Sequence, residues 1–274
     1  MTDIDPSRIT VPGLERGLRI LQMFSRARTA IKPPEIAEEL EIPRSTVHRL
    51  LQTLEELGFL RRSENGATYA LGPAVLTLGF DYLGSLDIVQ LSNSVLAALR
   101  DETQGSTHLS VRNGTEIIYL SRHASSAAIT SNVGVGTSLP AHATVMGRML
   151  LADLSGAELR TLYKDKRLQP YNENTPATLT ALERLLSEDR QRGYVISASF
   201  FERGISSVAA PVKDHTGRTV AAINVSLIAG VVNDKTFRGE IKNRTIAAAA
   251  NISEMLGASL ATPNPALVKK TAAK

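Results

Sequence analysis

The sequence predicts an α+β protein in which an N-terminal winged helix-turn-helix precedes a larger domain of hairpins and helices. Three observations predict this fold class. Residues 12–72 follow the order helix, short helix, tight turn, helix and hairpin, which is the order of a winged helix-turn-helix. Later strand-like runs join in pairs at the corners Asn113-Gly114 and Thr216-Gly217. Helical stretches lie between these hairpins, and antiparallel hairpins with packed helices define the α+β class.

The overall composition excludes several classes of protein. The chain of 274 residues contains no cysteine, which excludes disulfide bridges, thiolate metal sites and a cysteine nucleophile. Its net charge of +4 is a mild indication of an anionic partner. The N-terminus has no apolar run, and the most apolar stretch, residues 220–232, is too short to cross a bilayer. We therefore expect a cytoplasmic protein with no membrane partner.

Two helices are predicted before the first turn. The first begins near Leu14, and its apolar residues recur at spacings of 4, 3 and 3. These residues are Leu14, Leu18, Leu21 and Phe24. Pro33-Pro34 opens a second, short helix, because proline is tolerated in the first helical turn. Pro43 then disfavours helix in the residue before it and ends this segment.

The third helix and a hairpin complete the predicted N-terminal domain. The helix runs from Arg44 to about Leu57, with leucine and valine side chains on one side and Gly58 as its C-terminal cap. Two short strands follow, and Asn65-Gly66 between them is a strong hairpin turn signal. The domain ends at residue 72, just before Pro73.

The third helix carries the pattern expected of a helix that enters a DNA major groove. Its polar side holds arginine and hydroxyl side chains suited to base edges and phosphate oxygens, and no acid precedes Glu55 in the helix. The candidate DNA-binding residues are Arg44, Ser45, Thr46, His48, Arg49 and Gln52 on the helix and Arg61 and Arg62 at the base of the wing. The alternative is a protein-interaction domain with a solvated polar face. Residues 1–80 hold 10 Lys or Arg and 10 Asp or Glu, so the DNA prediction depends on how these charges are distributed.

The rest of the chain is divided into a linker helix, predicted over residues 73–90, and a second domain over residues 91–260. Strand-like runs are predicted at residues 107–112, 116–123, 194–198, 205–211 and 220–228. The sequence is helical from Pro73 to about Glu102, as a linker helix followed by the first helix of the second domain, and Gly84-Ser85 is the expected point of a bend or break. Further helices are predicted at residues 143–154, 156–163, 179–193 and 235–260. The apolar stripe Leu76, Phe80 and Leu83 on the linker helix must be buried somewhere, which makes it a candidate dimer interface.

Four segments resemble the isocitrate-lyase-regulator (IclR) family of bacterial transcription factors. They are LERGLRILQMF, EIAEELEIPRSTVHRLLQTLEELGFL, LPAHATVMGRMLLA and RGISSVAAPVKDHTGRTVAAINVS, and they lie in both domains in the order of the family. The resemblance covers about residues 12–260. It implies a winged helix-turn-helix joined by a linker helix to a GAF-like effector-binding domain. It also implies homodimers or dimers of dimers on palindromic double-stranded DNA operators, with operator affinity controlled by a small organic acid such as a catabolic intermediate.

The resemblance also implies where the effector binds. The matching effector-binding positions are Thr144, Val145, Met146, Gly147, Phe200, Ser207, Asn224 and Ser226. The polar ones are small hydrogen-bonding groups on otherwise apolar elements, and such groups orient a ligand. None of these positions is acidic, which favours a small carboxylate effector, although many relatives have an acidic residue near Phe200. The alternative is that these side chains are satisfied core groups or helix caps, as Thr144 would be at the start of a helix.

An enzyme, or a metabolite-binding protein whose N-terminal domain serves protein interaction, is the rival interpretation. The five histidines provide no HExxH motif and no pair at i, i+4 on a helix, so we expect no metal ligands. The sequence has no G-x-S-x-G elbow, no phosphate-binding loop and no dinucleotide-binding G-x-G-x-x-G after a strand. We therefore expect no catalytic residues and no cofactor.

Overall fold

The computed structural model describes residues 11–25, 27–125, 133–172, 174–198 and 204–258. The chain forms two compact units, an N-terminal unit up to Ser85 and a C-terminal unit from Leu86 onward. Each unit has a hydrophobic core of its own. Among the described residues no single helix is long and apolar enough to cross a membrane, and the helices on either side of residues 85–86 meet that requirement only when taken together.

The described part of the N-terminal unit contains four helices and a hairpin in the predicted order. The helices are α1 (Pro12–Gln22), α2 (Pro33–Glu39), α3 (Arg44–Glu56) and α4 (Pro73–Gly84). Strands β1 (Leu60–Arg62) and β2 (Tyr69–Leu71) pair antiparallel, and Ile31 forms a bridge to Tyr69. The core side chains come from every element except α4: Ile20, Phe24, Ile31, Ile36, Val47, Leu51, Leu60 and Tyr69. The predicted winged helix-turn-helix is thus confirmed.

Only part of the apolar stripe predicted for the first helix is buried: Phe24 lies in the core, with Leu21 packed against it. Leu14 and Leu18 are 63% and 52% exposed, whereas Gly17 and Ile20 are buried. An apolar stripe locates a helix, but it does not show whether the same chain or a partner covers the stripe. Leu14 and Leu18 therefore add exposed apolar surface to this unit.

An antiparallel sheet forms the centre of the C-terminal unit. In the described part of the chain its strand order is β5-β4-β3-β8-β7-β6. The strands are β3 (Ser106–Asn113), β4 (Glu116–His123), β5 (Ser138–Pro140), β6 (Val195–Ala198), β7 (Ile205–Lys213) and β8 (Thr219–Ile228). All but β5 correspond to the predicted runs. Strand β5 is not predicted, because it has only three residues and ends in proline. Such a short segment shows no alternation of apolar and polar side chains.

Helices cover both faces of this sheet. They are α5 (Asp87–Thr103), α6 (Val145–Ala152), α7 (Gly156–Leu162), α8 (Leu179–Arg192), α9 (Asp234–Thr236) and α10 (Lys242–Met255). Thr107 donates from Oγ1 to the carbonyl of Leu96 in α5 at 2.8 Å, and Ser110 donates to the sulfur of Met146 in α6 at 3.3 Å. Because alternate residues of a strand face opposite sides, α5 lies on one face of the sheet and α6 on the other. Helix α10 packs beside α5, and α8 packs beside α6.

Three predicted helices are shorter or interrupted in the structure. Helix α4 ends at Gly84 and α5 begins at Asp87, so the helical stretch breaks where Gly84-Ser85 predicts, inside the linker range of residues 73–90. A 3-10 turn at Ala141–Ala143 precedes α6. A π-helical turn at Phe237–Ile241 separates α9 from α10. None of these breaks changes the architecture, and the predicted α+β fold class is confirmed.

Candidate functional sites

Helix α3 presents a polar face to solvent in the N-terminal unit. Val47 and Leu51 are buried in the core and fix the orientation of the helix. The helix residues predicted to bind DNA lie on the other side and are exposed, except for the half-buried Thr46. The exposed ones are Arg44, Ser45, His48, Arg49 and Gln52. At 3.6 residues per turn these five lie within about 140° of one another around the helix axis, so they form one continuous face.

The ion pairs of this unit leave cations on or near the exposed face. Among the described residues, Arg44, Arg49 and Arg61 form no ion pair. Two glutamates of α2 are instead paired with Arg28, at 2.6 and 3.5 Å. The acids close to α3 in sequence are therefore partly neutralised, while three arginines keep their charge available for phosphate oxygens.

Two of the predicted DNA-binding residues are engaged within the unit. Gln52 donates from Nε2 to Oε1 of Glu56, 3.0 Å away and one turn along α3. Arg62 donates a hydrogen bond to the phenol oxygen of Tyr69 and lies 5.0 Å above the centre of its ring. The same guanidinium is 3.6 Å from Glu55 of α3. Arg62 thus joins the wing to α3, in addition to any role that it has in contacting DNA.

A chain of hydrogen-bonded side chains crosses the middle of the sheet in the C-terminal unit. Ser207 Oγ and Ser226 Oγ are 2.8 Å apart on the neighbouring strands β7 and β8. Asn224, two residues earlier on β8, donates from Nδ2 to Ser226 Oγ at 3.0 Å. Its Oδ1 is 2.9 Å from Nδ1 of His108 on β3. We call these four residues the sheet cluster. Three of them are predicted effector-binding residues, and His108 is a histidine that no sequence pattern links to the effector.

The sheet cluster lies on the face of the sheet that α6 covers. In the antiparallel register Ser207 is opposite Ser226, and Asn224 is opposite His108, so the members of each pair share a face. His108 also lies on the same face of β3 as Ser110, whose hydroxyl donates a hydrogen bond to the sulfur of Met146 in α6. The cluster therefore lies between the sheet and the buried helix α6, with His108 and Asn224 buried and Ser207 and Ser226 half-buried.

His108 is the most strongly perturbed group of the sheet cluster. The residue is 2% exposed, and burial lowers its pKa to about 4 even though its bond to Asn224 acts in the opposite direction. The positive charge of Arg122 lowers the pKa further. The imidazole is therefore neutral near pH 7. Its ring stands perpendicular to that of Tyr119 with centroids 5.4 Å apart, and its Nε2 has no hydrogen-bond partner within the described ranges.

The start of α6 is built by close packing and capping. Thr144 is the N-cap of α6, and its hydroxyl accepts a hydrogen bond from the backbone N–H of Gly147 at 3.1 Å. A Cβ on Gly147 would lie 2.2 Å from the carbonyl oxygen of Ala141, so only glycine fits at this position. Val145 and Met146 are buried. The Thr144 hydroxyl thus has a structural partner, which is the alternative that the sequence leaves open for it.

Charged side chains of α8 hold α6 in place. Nε and Nη2 of Arg148 donate to the two carboxylate oxygens of Asp189 at 2.8 and 2.7 Å, and the two side chains are 5% and 0% exposed. Arg190 donates to the carbonyls of Ala152 and Leu154, beside the C-terminal end of α6, at 2.6 and 2.7 Å. The only sequence signal for this clamp is one arginine within the apolar run VMGRMLLA.

The last two sequence predictions concern Phe200 and metal binding. Phe200, predicted to contact the effector, lies outside the described residues. In the part of the chain that the structure describes, no group of three or more His, Asp or Glu side chains is placed to hold a metal ion.

The fold and the exposed face of α3 define a DNA-binding protein of the winged helix-turn-helix class that carries a second, α+β unit. Two family models match the chain. The IclR helix-turn-helix domain matches residues 13–64, and the bacterial transcriptional regulator IclR C-terminal domain matches residues 80–254. The chain belongs to the IclR family of bacterial transcriptional regulators, so it is a DNA-binding regulator and not an enzyme.

Individual relatives agree with this assignment. The HTH-type transcriptional regulator XynR of Escherichia coli (strain K12) is 32% identical over 243 residues, which cover 86% of this chain and 95% of the relative. The Pca regulon regulatory protein of Pseudomonas putida is 32% identical over 241 residues, covering 88% of this chain and 80% of that protein. An IclR homologue from Microbacterium hydrocarbonoxydans, crystallised in complex with 4-hydroxybenzoate, has a TM-score of 0.76 at 26% identity, covering 90% of this chain and 100% of that one. The predicted family is confirmed.

Proposed function

We propose that this protein binds palindromic operator DNA as a homodimer or a dimer of dimers, with an affinity set by a small organic carboxylate. The sheet cluster is the observation that carries the effector part of this proposal. Its hydrogen-bonding groups face the buried apolar residues of α6, and small-molecule sites usually combine a few polar groups with apolar walls. The complex of the Microbacterium relative with 4-hydroxybenzoate supports a carboxylate as the class of ligand.

On the DNA side, α3 is the proposed recognition helix. Arg44 and Arg49 are exposed cations without an ion-pair partner in the described chain, and a guanidinium reads guanine edges or phosphates in bidentate fashion. Ser45, Thr46, His48 and Gln52 supply further polar contacts from the same helix. Arg61 extends the contact to the wing, while Arg62 contributes charge and also supports the wing against α3.

On the effector side, the GAF-like C-terminal domain offers donors to an anion. The second N–H of the Asn224 amide and one hydroxyl of the Ser207–Ser226 pair are not consumed by the bonds within the sheet cluster. Val145, Met146 and Gly147 form the wall that α6 provides, and Phe200 is proposed to complete the site from the segment after β6. No acid stands among these positions, so a cationic ligand finds no partner there.

The proposed dimer uses exposed apolar residues of the N-terminal unit. Leu76 and Phe80 on α4 are both 62% exposed, and Leu14 and Leu18 on α1 are exposed as well. Such surface is unfavourable in water unless another chain covers it. Because the partner of the dimer is DNA, we place the protein in the cytoplasm.

The experiment is a titration of labelled DNA, taken from upstream of the gene for this protein, followed by fluorescence anisotropy with and without organic acids. A scrambled fragment of equal length is the control for non-specific binding. An active acid should change operator affinity about 5- to 150-fold, the usual size of an allosteric coupling. Specific binding that no carboxylic acid alters would leave the DNA part of the proposal standing and reject the effector part.

A further inference from the structure

The donor and the acceptor can be assigned in the hydrogen bonds that Asn224 makes within the sheet cluster. Asn224 uses Nδ2 to donate to Ser226 and therefore presents Oδ1 to the imidazole of His108. A carbonyl oxygen only accepts hydrogen bonds, so Nδ1 of His108 carries the proton. Because burial keeps the ring neutral, the other nitrogen, Nε2, has no proton and holds a lone pair.

Nε2 of His108 is a buried acceptor without a donor. No hydrogen-bond partner for it exists within the described ranges, and the residue is almost inaccessible to bulk water. Buried polar groups are nearly always paired, because an orphaned one keeps the cost of its lost hydration. The other three members of the sheet cluster are paired with one another. The unpaired nitrogen therefore marks the place where a hydrogen-bond donor is missing from the cluster.

We infer that Nε2 of His108 accepts a hydrogen bond from a hydroxyl group of the effector, so that the protein selects hydroxylated carboxylic acids over the same acids without the hydroxyl. This inference rests on the proposed function, because it concerns the same surface. A carboxylate or a carbonyl group has no proton to offer to this nitrogen. The hydroxyl of the ligand, and not its acid group, is therefore the part that pairs with His108.

The spacing of the strands indicates the shape of the ligand. Ser207 and His108 stand at opposite ends of the cluster, on strands β7 and β3 with β8 between them. Strands are about 4.8 Å apart, so the two ends are separated by roughly 10 Å across the sheet. A ligand that places its carboxylate near the serines and its hydroxyl at His108 needs an apolar body between the two groups. A two-carbon acid is too short to reach both.

Isothermal titration of the full-length protein with matched probes tests this inference. The probes are 4-hydroxybenzoate, 3-hydroxybenzoate and benzoate, which differ only in the hydroxyl group and its position. We expect at least one hydroxylated acid to bind roughly tenfold or more tightly than benzoate, because the unhydroxylated acid leaves Nε2 unpaired. His108→Asn keeps a donor for Asn224 but is too short to place an acceptor at the former Nε2 position, so the affinity ratio should fall to about one. In His108→Gln an amide oxygen reaches the former Nε2 position, and part of the preference should remain.

A measurement on the wild-type protein makes the test independent of whether the variants fold. The 15N resonance of the unprotonated Nε2 of His108 should move on addition of the preferred hydroxylated acid and stay in place with benzoate. Equal affinities for hydroxylated and unhydroxylated acids, or a preference that persists in His108→Asn, would overturn the role of His108 and leave the proposed function intact. If no acid binds, including lactate, pyruvate and glyoxylate added to the panel, the proposed effector class itself is wrong.

Discussion

At the scale of single residues, His108 makes the C-terminal unit sensitive to acid. Burial in the folded protein lowers the pKa of His108 to about 4, from the 6.5 of a histidine in water. Between pH 6.5 and about 4 the unfolded chain binds a proton at His108, whereas the folded chain does not. The free energy of unfolding therefore decreases as the pH falls. The loss begins near pH 6.5, is complete near pH 4 and amounts to about 3 kcal/mol.

Urea denaturation at pH 7.0, 5.5 and 4.5 checks this prediction. His108→Asn removes the titrating group, so its free energy of unfolding should fall by less than that of the wild type between pH 7.0 and 4.5. His48→Asn, at an exposed histidine of α3, is the control and should keep the wild-type dependence. If His108→Asn follows the wild-type pH dependence, the histidine is not buried in its neutral form.

Arg44 and Arg49 differ from Arg62 in what their removal should do. Arg44→Ala and Arg49→Ala should each cost about 1–3 kcal/mol of operator binding if they contact bases in bidentate fashion, and the loss should be specific to the operator. Arg62→Ala should weaken binding to all sequences and flatten its salt dependence, because it removes one phosphate-facing charge. Since Arg62 also contacts Tyr69, we expect a small loss of stability in this variant alone.

Anisotropy titrations at several salt concentrations separate these effects. The control for the double variant Arg44→Ala, Arg49→Ala is Lys213→Ala, Lys235→Ala, which removes the same charge from exposed positions in the C-terminal unit. Unchanged operator affinity in the double arginine variant would show that α3 is not the recognition helix.

At the scale of elements, α6 depends on a buried ion pair for its position. Asp189→Asn leaves the guanidinium of Arg148 buried without its counter-charge and should cost about 3–5 kcal/mol of stability. Arg148→Met combined with Asp189→Leu removes both charges and should recover much of this loss, because the desolvation cost disappears with the pair. Denaturation of Arg148→Met, Asp189→Leu and the double variant closes a thermodynamic cycle and gives the coupling energy between the two residues.

The exposed pair Arg192–Glu188 on the same helix α8 is a matched comparison for the buried pair. Its atoms are 2.6 Å apart, but both side chains are in contact with solvent. Glu188→Gln should therefore change stability by about 1 kcal/mol or less. Equal effects of Asp189→Asn and Glu188→Gln would mean that burial does not make the Arg148–Asp189 pair important.

Local sequence signals predict the elements of this fold better than they predict its sites. Asn65-Gly66 and the polar face of α3 are read directly from neighbouring residues, and the hairpin and helix are found where they are predicted. The bond between His108 and Asn224 joins residues 116 positions apart, and only the strand register brings them together. Spacing along the chain cannot reveal such a pair. The stripe that begins at Leu14 predicts α1 correctly, but periodicity does not show that Leu14 and Leu18 stay exposed while Leu21 and Phe24 pack into the core.

At the scale of the whole molecule, we predict that the chain associates with copies of itself through the exposed apolar residues of α4. One recognition helix reads only a few base pairs, so useful specificity requires two such helices on half-sites about one DNA turn apart or a multiple of it. If the wild type is the proposed dimer or tetramer, Leu76→Asp with Phe80→Asp should shift it toward smaller species in light scattering, because each change places a charge on apolar surface that a partner would bury. Operator affinity should fall together with assembly.

Val231→Asp is the control, because Val231 is an equally exposed apolar residue of the C-terminal unit, and it should change neither property. A wild-type protein that is monomeric at micromolar concentration, or an α4 variant that assembles normally, would contradict an interface on α4.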